Sequence, residues 1–543
     1  MALNLVNSRN LDDSDLPGLE LDGAIAVTTF EFAGRHFFCV GGNADNGISV
    51  FEQDSDGNII NIENVDDADD PDFNLFALTS LTTIFVDGQP LVFATGFSDD
   101  GLSGFAALAS GQLINVDNVA DDATLELGNA NAVISVNTAQ NRDLIFVAAS
   151  NDDGVSSFEV AADGTLINRD NVDDSDDGAF QLDGAIALAT AQIGVGNSVT
   201  ALFVAGIEDG GISVFTTTTG TLINQDNVTD AGNLELDGVA ALATAVVGSK
   251  IYLFAAGLSD DGISVFEVGL GGDLTNVFNV TDDSTLNLGG AIAITATKIA
   301  GTEYVFVAGT GDNGISVFGV AADGTLINVD NIDDADEPDL ELLGVRDLAT
   351  AVVNGQTFLY AAGHFDDGIS SFRVDVTGLT INGTGGNDTI DALNAPAAEF
   401  LPSELGDVIS GLGGDDRLEG LGGDDVLTGG GGRDIQLGGA DSDRFDSNAA
   451  SETKKGSQRD KINHFQRGQD DIDLKDIDAR TGVSGNNKFR FIGKDEFSEA
   501  KGELRYEDKG SKVIVQGDRN GDGEADFEIF VKVGSLAKGD FLL

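Results

Sequence analysis

The chain has 543 residues, of which 93 are acidic and 28 basic, and its formal net charge is −65. This length is too great for one ordinary hydrophobic core, so we expect two or more domains. The negative field repels nucleic-acid phosphates, and no apolar run reaches the roughly 20 residues of a membrane helix. We therefore expect no nucleic-acid partner and no membrane insertion.

Residues 1–380 hold most of the negative charge, with 60 acidic residues against eight basic ones. A string similar to DDGISVF recurs there seven times, at steps of 51 to 57 residues, and each repeat contains four short β-like runs bounded by Gly, Asn and Asp. Four strands in each of seven repeats predict an all-β chain that begins with a seven-bladed β-propeller. The seven copies end at Phe51, Phe105, Phe158, Phe215, Phe266, Phe318 and Phe372.

The two ends of this region predict how the ring closes. The last repeat lacks a fourth strand, and residues 3–8 read as a fourth strand without the first three. Joining them removes the unpaired edges, so we expect residues 1–380 to form a closed domain. If the first strand is innermost, the Asp-Asp-Gly turns of the second-to-third connections share one face with the acidic fourth-to-first loops, such as 65–72 and 172–178. Their aspartates either serve the backbone of turns or coordinate cations between adjacent loops.

The repeat is similar to lactonase-like and YVTN-type propellers, a resemblance that covers residues 1–380 and implies the fold. Enzymes built on a propeller can place a divalent metal near the axis and use it to activate water. His364, with Asp366 or Asp367, is the one candidate acid–base group of the acidic face. A metal-dependent hydrolase of lactonase or phosphoesterase type is therefore an alternative function.

A nine-residue period with the pattern G-G-x-G-x-D-x-U-x, where U is apolar, fills residues 383–446 and is interrupted at 392–401. The glycines make tight turns that expose carbonyl groups, the aspartate supplies a carboxylate, and U points into a core between two stacked strands. Ca²⁺ takes six to eight such oxygens, so residues 381–446 are predicted to form a parallel β-roll that binds Ca²⁺. The U positions are Ile390, Ile409, Leu418, Leu427, Gln436 and Phe445, of which Gln436 departs from the rule. The candidate ligands are Asp388, Asp407, Asp416, Asp425, Asp434 and Asp443, with the turn glycines Gly411, Gly413, Gly420, Gly422, Gly429 and Gly431.

This pattern is the signature of the RTX, or hemolysin-type, calcium-binding family, and residues 447–543 resemble the C-terminal domain of serralysin-type metalloproteases. The resemblance implies a β-rich cap that carries an uncleaved signal for type I export, with Asp540 and the following Phe-Leu-Leu as part of that signal. It also implies a secreted protein, either extracellular or retained at the cell surface. The first 15 residues lack the pattern of a cleavable signal peptide, in agreement with such a route.

The resemblance to serralysin-type proteases does not extend to their catalytic residues. The three histidines are far apart in sequence, and neither H-E-x-x-H, G-x-S-x-G nor a Walker A loop occurs. Asp518–Asp526 begins like an EF-hand loop but lacks the final Glu, so we interpret it as an acidic hairpin turn. The sequence thus favours a non-catalytic calcium-binding protein, whose propeller binds an extracellular polysaccharide or another cell-surface polymer.

Overall fold

A computed structural model describes residues 3–16, 18–54, 57–122, 124–337 and 339–543. These residues form strands β1–β42 and two single-turn 3-10 helices, Gly456–Gln458 and Lys538–Asp540. The predicted all-β class is therefore confirmed. Within the described ranges, no helix has the length and apolarity required to span a membrane.

Seven antiparallel sheets of four strands each occupy the first part of the chain, and each sheet is one blade. β1 is Leu3–Asp12. Blade 1 contains β2 (Ala24–Phe32), β3 (Arg35–Gly42), β4 (Gly47–Gln53) and β5 (Ile59–Asp66). Blade 2 contains β6 (Leu78–Val86), β7 (Gln89–Gly96), β8 (Gly101–Ala107) and β9 (Leu113–Ala120). Blade 3 contains β10 (Ala130–Asn137), β11 (Asp143–Ala149), β12 (Gly154–Val160) and β13 (Leu166–Asp173).

The remaining blades follow the same order. Blade 4 contains β14 (Ala185–Ile193), β15 (Val199–Gly206), β16 (Gly211–Thr217) and β17 (Ile223–Thr229). Blade 5 contains β18 (Val239–Val247), β19 (Lys250–Gly257), β20 (Gly262–Val268) and β21 (Leu274–Thr281). Blade 6 contains β22 (Ala291–Ile299), β23 (Thr302–Gly309), β24 (Gly314–Val320) and β25 (Leu326–Asp333). Blade 7 contains β26 (Val345–Val353), β27 (Gln356–Gly363), β28 (Gly368–Val376) and β1.

The ring closes as the sequence predicts. β1 pairs antiparallel with β28, from Leu3 opposite Val376 to Asp12 opposite Gly368. The N-terminal strand thus completes the last blade and covers its open edge, which would otherwise be free to pair with another chain.

The first strand of every blade lies against the first strands of its neighbours, so these seven strands surround the axis. Each contains a β-bulge at its second residue, which adds one unpaired residue to the strand and redirects its side chain. The seven bulge residues, called here the axial ring, are Ile25, Thr79, Asn131, Ile186, Ala240, Ile292 and Arg346.

The rest of the chain is built on two sheets that are mainly parallel, as predicted for a β-roll. The first contains β29 (Thr380–Asn382), β31 (Val408–Ser410), β33 (Val426–Thr428), β35 (Arg444–Asp446), β37 (Asp471–Asp473) and β42 (Phe541–Leu542). The second contains β30 (Thr389–Ile390), β32 (Arg417–Leu421), β34 (Ile435–Gly439), β36 (Asp460–Asn463) and β41 (Phe527–Val531). It then continues through β40 (Val513–Asp518), β39 (Glu503–Asp508) and β38 (Arg490–Phe491).

The core of this part lies between the two sheets. The U residues stack one above the other, for example Ile409, Leu427 and Phe445, which lie in register and are buried. Gln436 is also buried, and its amide donates a hydrogen bond of 3.3 Å to the carbonyl group of Leu427. The same core continues into the cap as far as Phe541. The division into a roll at 381–446 and a separate cap at 447–543 stays a prediction.

The interruption at residues 392–401 connects the roll to the propeller. The Ala322 N–H donates to the carbonyl group of Glu399 at 3.0 Å, and the Ala398 N–H donates to Asp323 Oδ2 at 3.0 Å. Leu401 packs against the apolar cluster between blades 5 and 6. The contacts at Ala322 and Asp323 lie on the turn between the third and fourth strands of blade 6. The Asp-Asp-Gly turns and the fourth-to-first connections, called here the Asp-rich face, lie at the opposite ends of these strands, away from the docked segment.

Candidate functional site

The aspartates of the roll form two rows, one along each sheet. In each row the N–H of one aspartate donates to Oδ1 of the aspartate one coil further on, at 2.7 Å from Asp407 to Asp425 and 2.9 Å from Asp416 to Asp434. Strands that repeat every 18 residues bring these groups into register. The first row contains Asp407, Asp425, Asp443 and Asp470, and the second contains Asp388, Asp416, Asp434 and Asp460.

Four of these carboxylates have one oxygen without a partner. The Oδ2 atoms of Asp416, Asp425, Asp434 and Asp443 are buried and accept no hydrogen bond within the described part of the chain. A buried oxygen in this state costs free energy, on the order of 1–3 kcal/mol or more for a charged group, unless a proton or a cation satisfies it. The unpartnered oxygens occur in consecutive coils of each row.

The turn glycines keep the space beside these oxygens open. A Cβ at Gly429 would lie 2.5 Å from Asp434 Oδ2, and a Cβ at Gly411 or Gly420 would collide with Oδ2 of Asp416 or Asp425. Gly438, which was not among the predicted turn glycines, has the same relationship to Asp443. Glycine at these places therefore leaves room for an ion next to each carboxylate and keeps backbone carbonyl groups within reach.

Burial also raises the pKa of these carboxyl groups. The pKa reaches about 6 for Asp434, about 7 for Asp443 and about 8 for Asp425, with desolvation as the largest cause and neighbouring aspartates adding to it. Opposing these effects, a backbone hydrogen bond to each carboxylate lowers the pKa. The neighbouring charged groups that raise these pKa values are anionic. A divalent cation bound beside the carboxylates would therefore compensate the buried negative charges directly.

Asp388 and Asp407 differ from the other four candidates. Their second oxygens accept hydrogen bonds from the N–H groups of Thr384, at 2.6 Å, and of Ser403, at 2.7 Å. These two aspartates begin the rows. There, a local loop supplies a hydrogen-bond donor to Oδ2, the atom that has no partner in the next two aspartates of each row. In this structure both serve the backbone.

Asp460 and Asp470 continue the rows beyond the glycine repeats and were missed by sequence reasoning. Asp460 Oδ1 accepts from the Asp434 N–H at 2.9 Å, and Asp470 Oδ1 accepts from the Asp443 N–H at 3.2 Å. Both residues keep the D-x-U half of the nonapeptide, with Ile462 and Ile472 as the apolar residues. That half-pattern, without its glycines, is the signal that could have identified them.

The two rows suit Ca²⁺ in their chemistry. Ca²⁺ prefers carboxylate and carbonyl oxygens at 2.3–2.6 Å in flexible geometry, and both oxygen types meet in these turns. In the described residues, no three side chains of His, Cys, Asp or Glu are placed to hold a metal by themselves. An ion in the roll would consequently rely on glycine-turn carbonyl groups as well as on Oδ2 of Asp416, Asp425, Asp434 and Asp443.

The repeated Asp-Asp-Gly turns of the propeller serve the backbone. The first aspartate of each turn accepts from an N–H at the start of its own blade, as Asp45 does from Asp22 at 2.8 Å and Asp366 does from Leu343 at 2.8 Å. In six of the seven turns the second residue is Asp or Asn and accepts from an N–H of the next blade, as Asp100 does from Asn129 at 2.7 Å, whereas blade 4 has Gly210 there. Of the two interpretations of these turns, the structure supports the one based on backbone hydrogen bonds.

His364 lies beside the first blade. Its Nδ1 is buried without a hydrogen-bond partner in the described structure, and its ring centroid is 5.0 Å from that of Phe365. Asp367 Oδ1 accepts from the Gly23 N–H at 2.9 Å, which ties the last blade to the first. One oxygen of each neighbouring aspartate, Asp366 and Asp367, is thus already occupied by backbone.

The acidic turn at Asp518–Asp526 joins two antiparallel strands, as predicted. Asp518 accepts from the N–H groups of Gly521, at 2.6 Å, and Gly523, at 2.9 Å. Both of its oxygens therefore hold the turn together, and the hairpin interpretation is confirmed.

Comparison with known families assigns the second part of the chain. Residues 379–543 match the family described as Peptidase M10 serralysin C terminal. These residues therefore form a serralysin-type C-terminal domain of the RTX class, and the suspected combination of this domain with a propeller is confirmed. No curated protein is significantly similar in sequence to this chain.

Solved structures similar to the chain match its propeller part. A protein of Bacteroides fragilis proposed to be a 6-phosphogluconolactonase is 15% identical, with a TM-score of 0.41, and the match covers 57% of this chain and 83% of that one. A protein of Bacteroides uniformis with the same proposed activity is 17% identical, with a TM-score of 0.42, covering 57% and 84%. The seven-bladed fold itself follows from the strand pairing.

Proposed function

We propose that this chain is a calcium-binding protein, exported by a type I system, that acts outside the cell or at its surface. The observation that carries the proposal is the set of four buried, unpartnered Oδ2 atoms on Asp416, Asp425, Asp434 and Asp443. Ion binding removes their mutual repulsion and stabilises the roll, and extracellular calcium modules bind at about 10⁻⁴–10⁻³ M. The roll would then remain open in the cytosol and fold outside.

The propeller is proposed to serve as a binding module for an extracellular polysaccharide or another cell-surface polymer. Its Asp-rich face supports this role because the roll docks on the opposite side through Ala322 and Asp323, so the face stays accessible. A pull-down of the full chain on polysaccharides, with and without Ca²⁺, tests this part of the proposal. Retention on no polymer under either condition would contradict it.

Calorimetric titration of the full chain with CaCl₂ tests the calcium proposal. We expect saturable binding in the submillimolar to millimolar range, accompanied by a gain in β-structure by circular dichroism. MgCl₂ at the same ionic strength serves as the control, because its smaller octahedral shell suits these turns poorly. Equal responses to the two salts would contradict a specific calcium site.

A further inference from the structure

One blade of the propeller differs from the other six at the axis. The axial ring contains Ile, Thr, Asn or Ala in blades 1–6, whereas blade 7 places Arg346 there, followed by Asp347. At the position of Asp347 the other blades have Ala or, in blade 2, Ser80. Aligning the first strands of the seven repeats shows this difference in the sequence itself.

A cavity of about 300 Å³ lies at this end of the axis and is lined by all seven first strands. Most of its lining residues are aliphatic, with Ile186, Leu242 and Ile294 among them, whereas polar groups, including the side chains of Thr79, Ser80 and Asn131, form a comparable part of the exposed wall. Among the described lining residues, Arg346 is the one basic residue. Ligand pockets typically measure about 300–1,000 Å³, so this one suits a small molecule. Since the axial ring follows directly on the fourth-to-first connections, the cavity lies toward the Asp-rich face.

Arg346 lines the cavity, and its charge is not paired within the protein. Among the described residues, no carboxylate forms an ion pair with its guanidinium, and its buried Nε has no hydrogen-bond partner. Asp347 is next in sequence, but its oxygens accept from the N–H groups of Val27, at 2.7 Å, and Leu348, at 2.8 Å. Burial also raises the pKa of Asp347 to about 7, which weakens its negative charge at neutral pH.

We propose that the axial cavity binds a small organic monocarboxylate with an apolar body, whose carboxylate pairs with the Arg346 guanidinium while the body lies against the aliphatic wall. A guanidinium matches a carboxylate with two parallel hydrogen bonds. A dianionic phosphate also fits a guanidinium. In a region with 60 acidic and eight basic residues, however, it meets about twice the repulsion, and the aliphatic wall adds nothing to its binding.

The repeats supply substitutions that the fold already accepts. Ile occupies the axial ring in blades 1, 4 and 6, so both Arg346→Ile and Ala240→Ile place a residue that other blades carry there. The first removes the charge, and the second narrows the cavity while keeping Arg346. Arg373→Gln is the matched control because Arg373 is an exposed basic residue of the same blade, paired with Asp375 outside the axis.

The test measures the dissociation constants of hexanoate, hexanol and inorganic phosphate for the full chain in CaCl₂ by calorimetry and saturation-transfer NMR. We expect hexanoate to bind best, Arg346→Ile and Ala240→Ile to weaken it at least about tenfold, and Arg373→Gln to change it less than about twofold. Hexanol binding should not respond to Arg346→Ile. No hexanoate binding to the wild type, equal binding to wild type and Arg346→Ile, or preference for phosphate would each overturn the proposal. The calcium response of Arg346→Ile reports separately on the roll.

Discussion

Asp425 accepts a 2.7 Å hydrogen bond from the Asp407 N–H through Oδ1, while its Oδ2 is buried without a partner. One carboxylate thus has two separate roles, since one oxygen holds adjacent coils in register and the other is free to bind an ion. This separation allows the structural role and the ionic role to be changed independently.

The double variant Asp416→Asn and Asp425→Asn should raise the calcium concentration at the folding midpoint at least severalfold. Each asparagine keeps an oxygen for the hydrogen bond to the neighbouring coil but removes a negative ligand. The midpoint is measured by circular dichroism of the full chain during CaCl₂ titration. Asp495→Asn, on an exposed segment of the cap, is the control and should leave the midpoint unchanged. A midpoint that is the same in both variants contradicts the assignment.

Without calcium, the roll should be more stable in mild acid than at alkaline pH. The folded-state pKa values of about 6 for Asp434, 7 for Asp443 and 8 for Asp425 exceed the usual Asp value near 3.9. Protonation therefore favours the folded state. This stabilisation is complete below about pH 4 and is lost as the pH rises through about 6–8.

Circular dichroism of the full chain in a chelator, recorded from pH 5 to pH 8.5, measures this dependence as a loss of β-structure when the pH rises. The variant Asp425→Asn with Asp443→Asn should flatten it, because two of the titrating groups are gone. With calcium the direction reverses, since binding requires deprotonated ligands, so the calcium midpoint should fall as the pH rises. A calcium-free roll that is more stable at pH 8.5 than at pH 5 would argue against these assignments.

The propeller has its own pH dependence, which arises at one repeated position. Glu20, Glu126 and Glu341 have pKa values raised to about 7, first by burial and then by nearby aspartates. Gln181 takes the equivalent place in blade 4, and its N–H donates to a serine hydroxyl as theirs do. These glutamates therefore stabilise the fold when protonated, and that stabilisation is lost as the pH rises from about 4.5 through 7.

Replacing all three glutamates by Gln should raise the melting temperature of the propeller by several degrees at pH 8 and change it little at pH 4.5. Differential scanning calorimetry at both pH values measures the effect. Glu52→Gln should act in the opposite direction at pH 8, because Arg35 lowers the pKa of Glu52 by pairing with it. If the triple variant melts at a lower temperature than the wild type at pH 8, the three carboxyl groups are not repulsive.

Export should depend on the final residues of the cap. Deleting Asp540–Leu543 is expected to retain most of the protein inside the cell. The deletion also removes Phe541 from the core and the 3.2 Å contact between Arg467 and Asp540, so a fold control is required. Arg467→Gln breaks that ion pair but leaves the segment in place, and it should be exported normally. Secretion of the deletion variant at the wild-type level would place the export signal elsewhere.

Most of the fold could be predicted from the sequence repeats, because each strand of a 51–57-residue or nine-residue repeat is specified by its own short stretch of sequence. Contacts between segments far apart in the sequence were harder to predict. Asp460 joins Asp434 across 26 residues without any glycine repeat, and Ser403 occupies an oxygen of Asp407 through a loop conformation. Arg346 was not predicted as a site residue, because its place on the axis depends on a bulge that only the strand register defines.

Calcium-soaked crystals of the full chain, measured for anomalous scattering, would show directly whether the roll binds Ca²⁺. We expect ions in the roll at about 2.3–2.6 Å from Oδ2 of Asp416, Asp425, Asp434 and Asp443. Glycine-turn carbonyl groups should complete each coordination shell, with Asp388 and Asp407 still bound to the backbone. A folded roll in which these four oxygens bind no ion at millimolar CaCl₂ would contradict the calcium assignment.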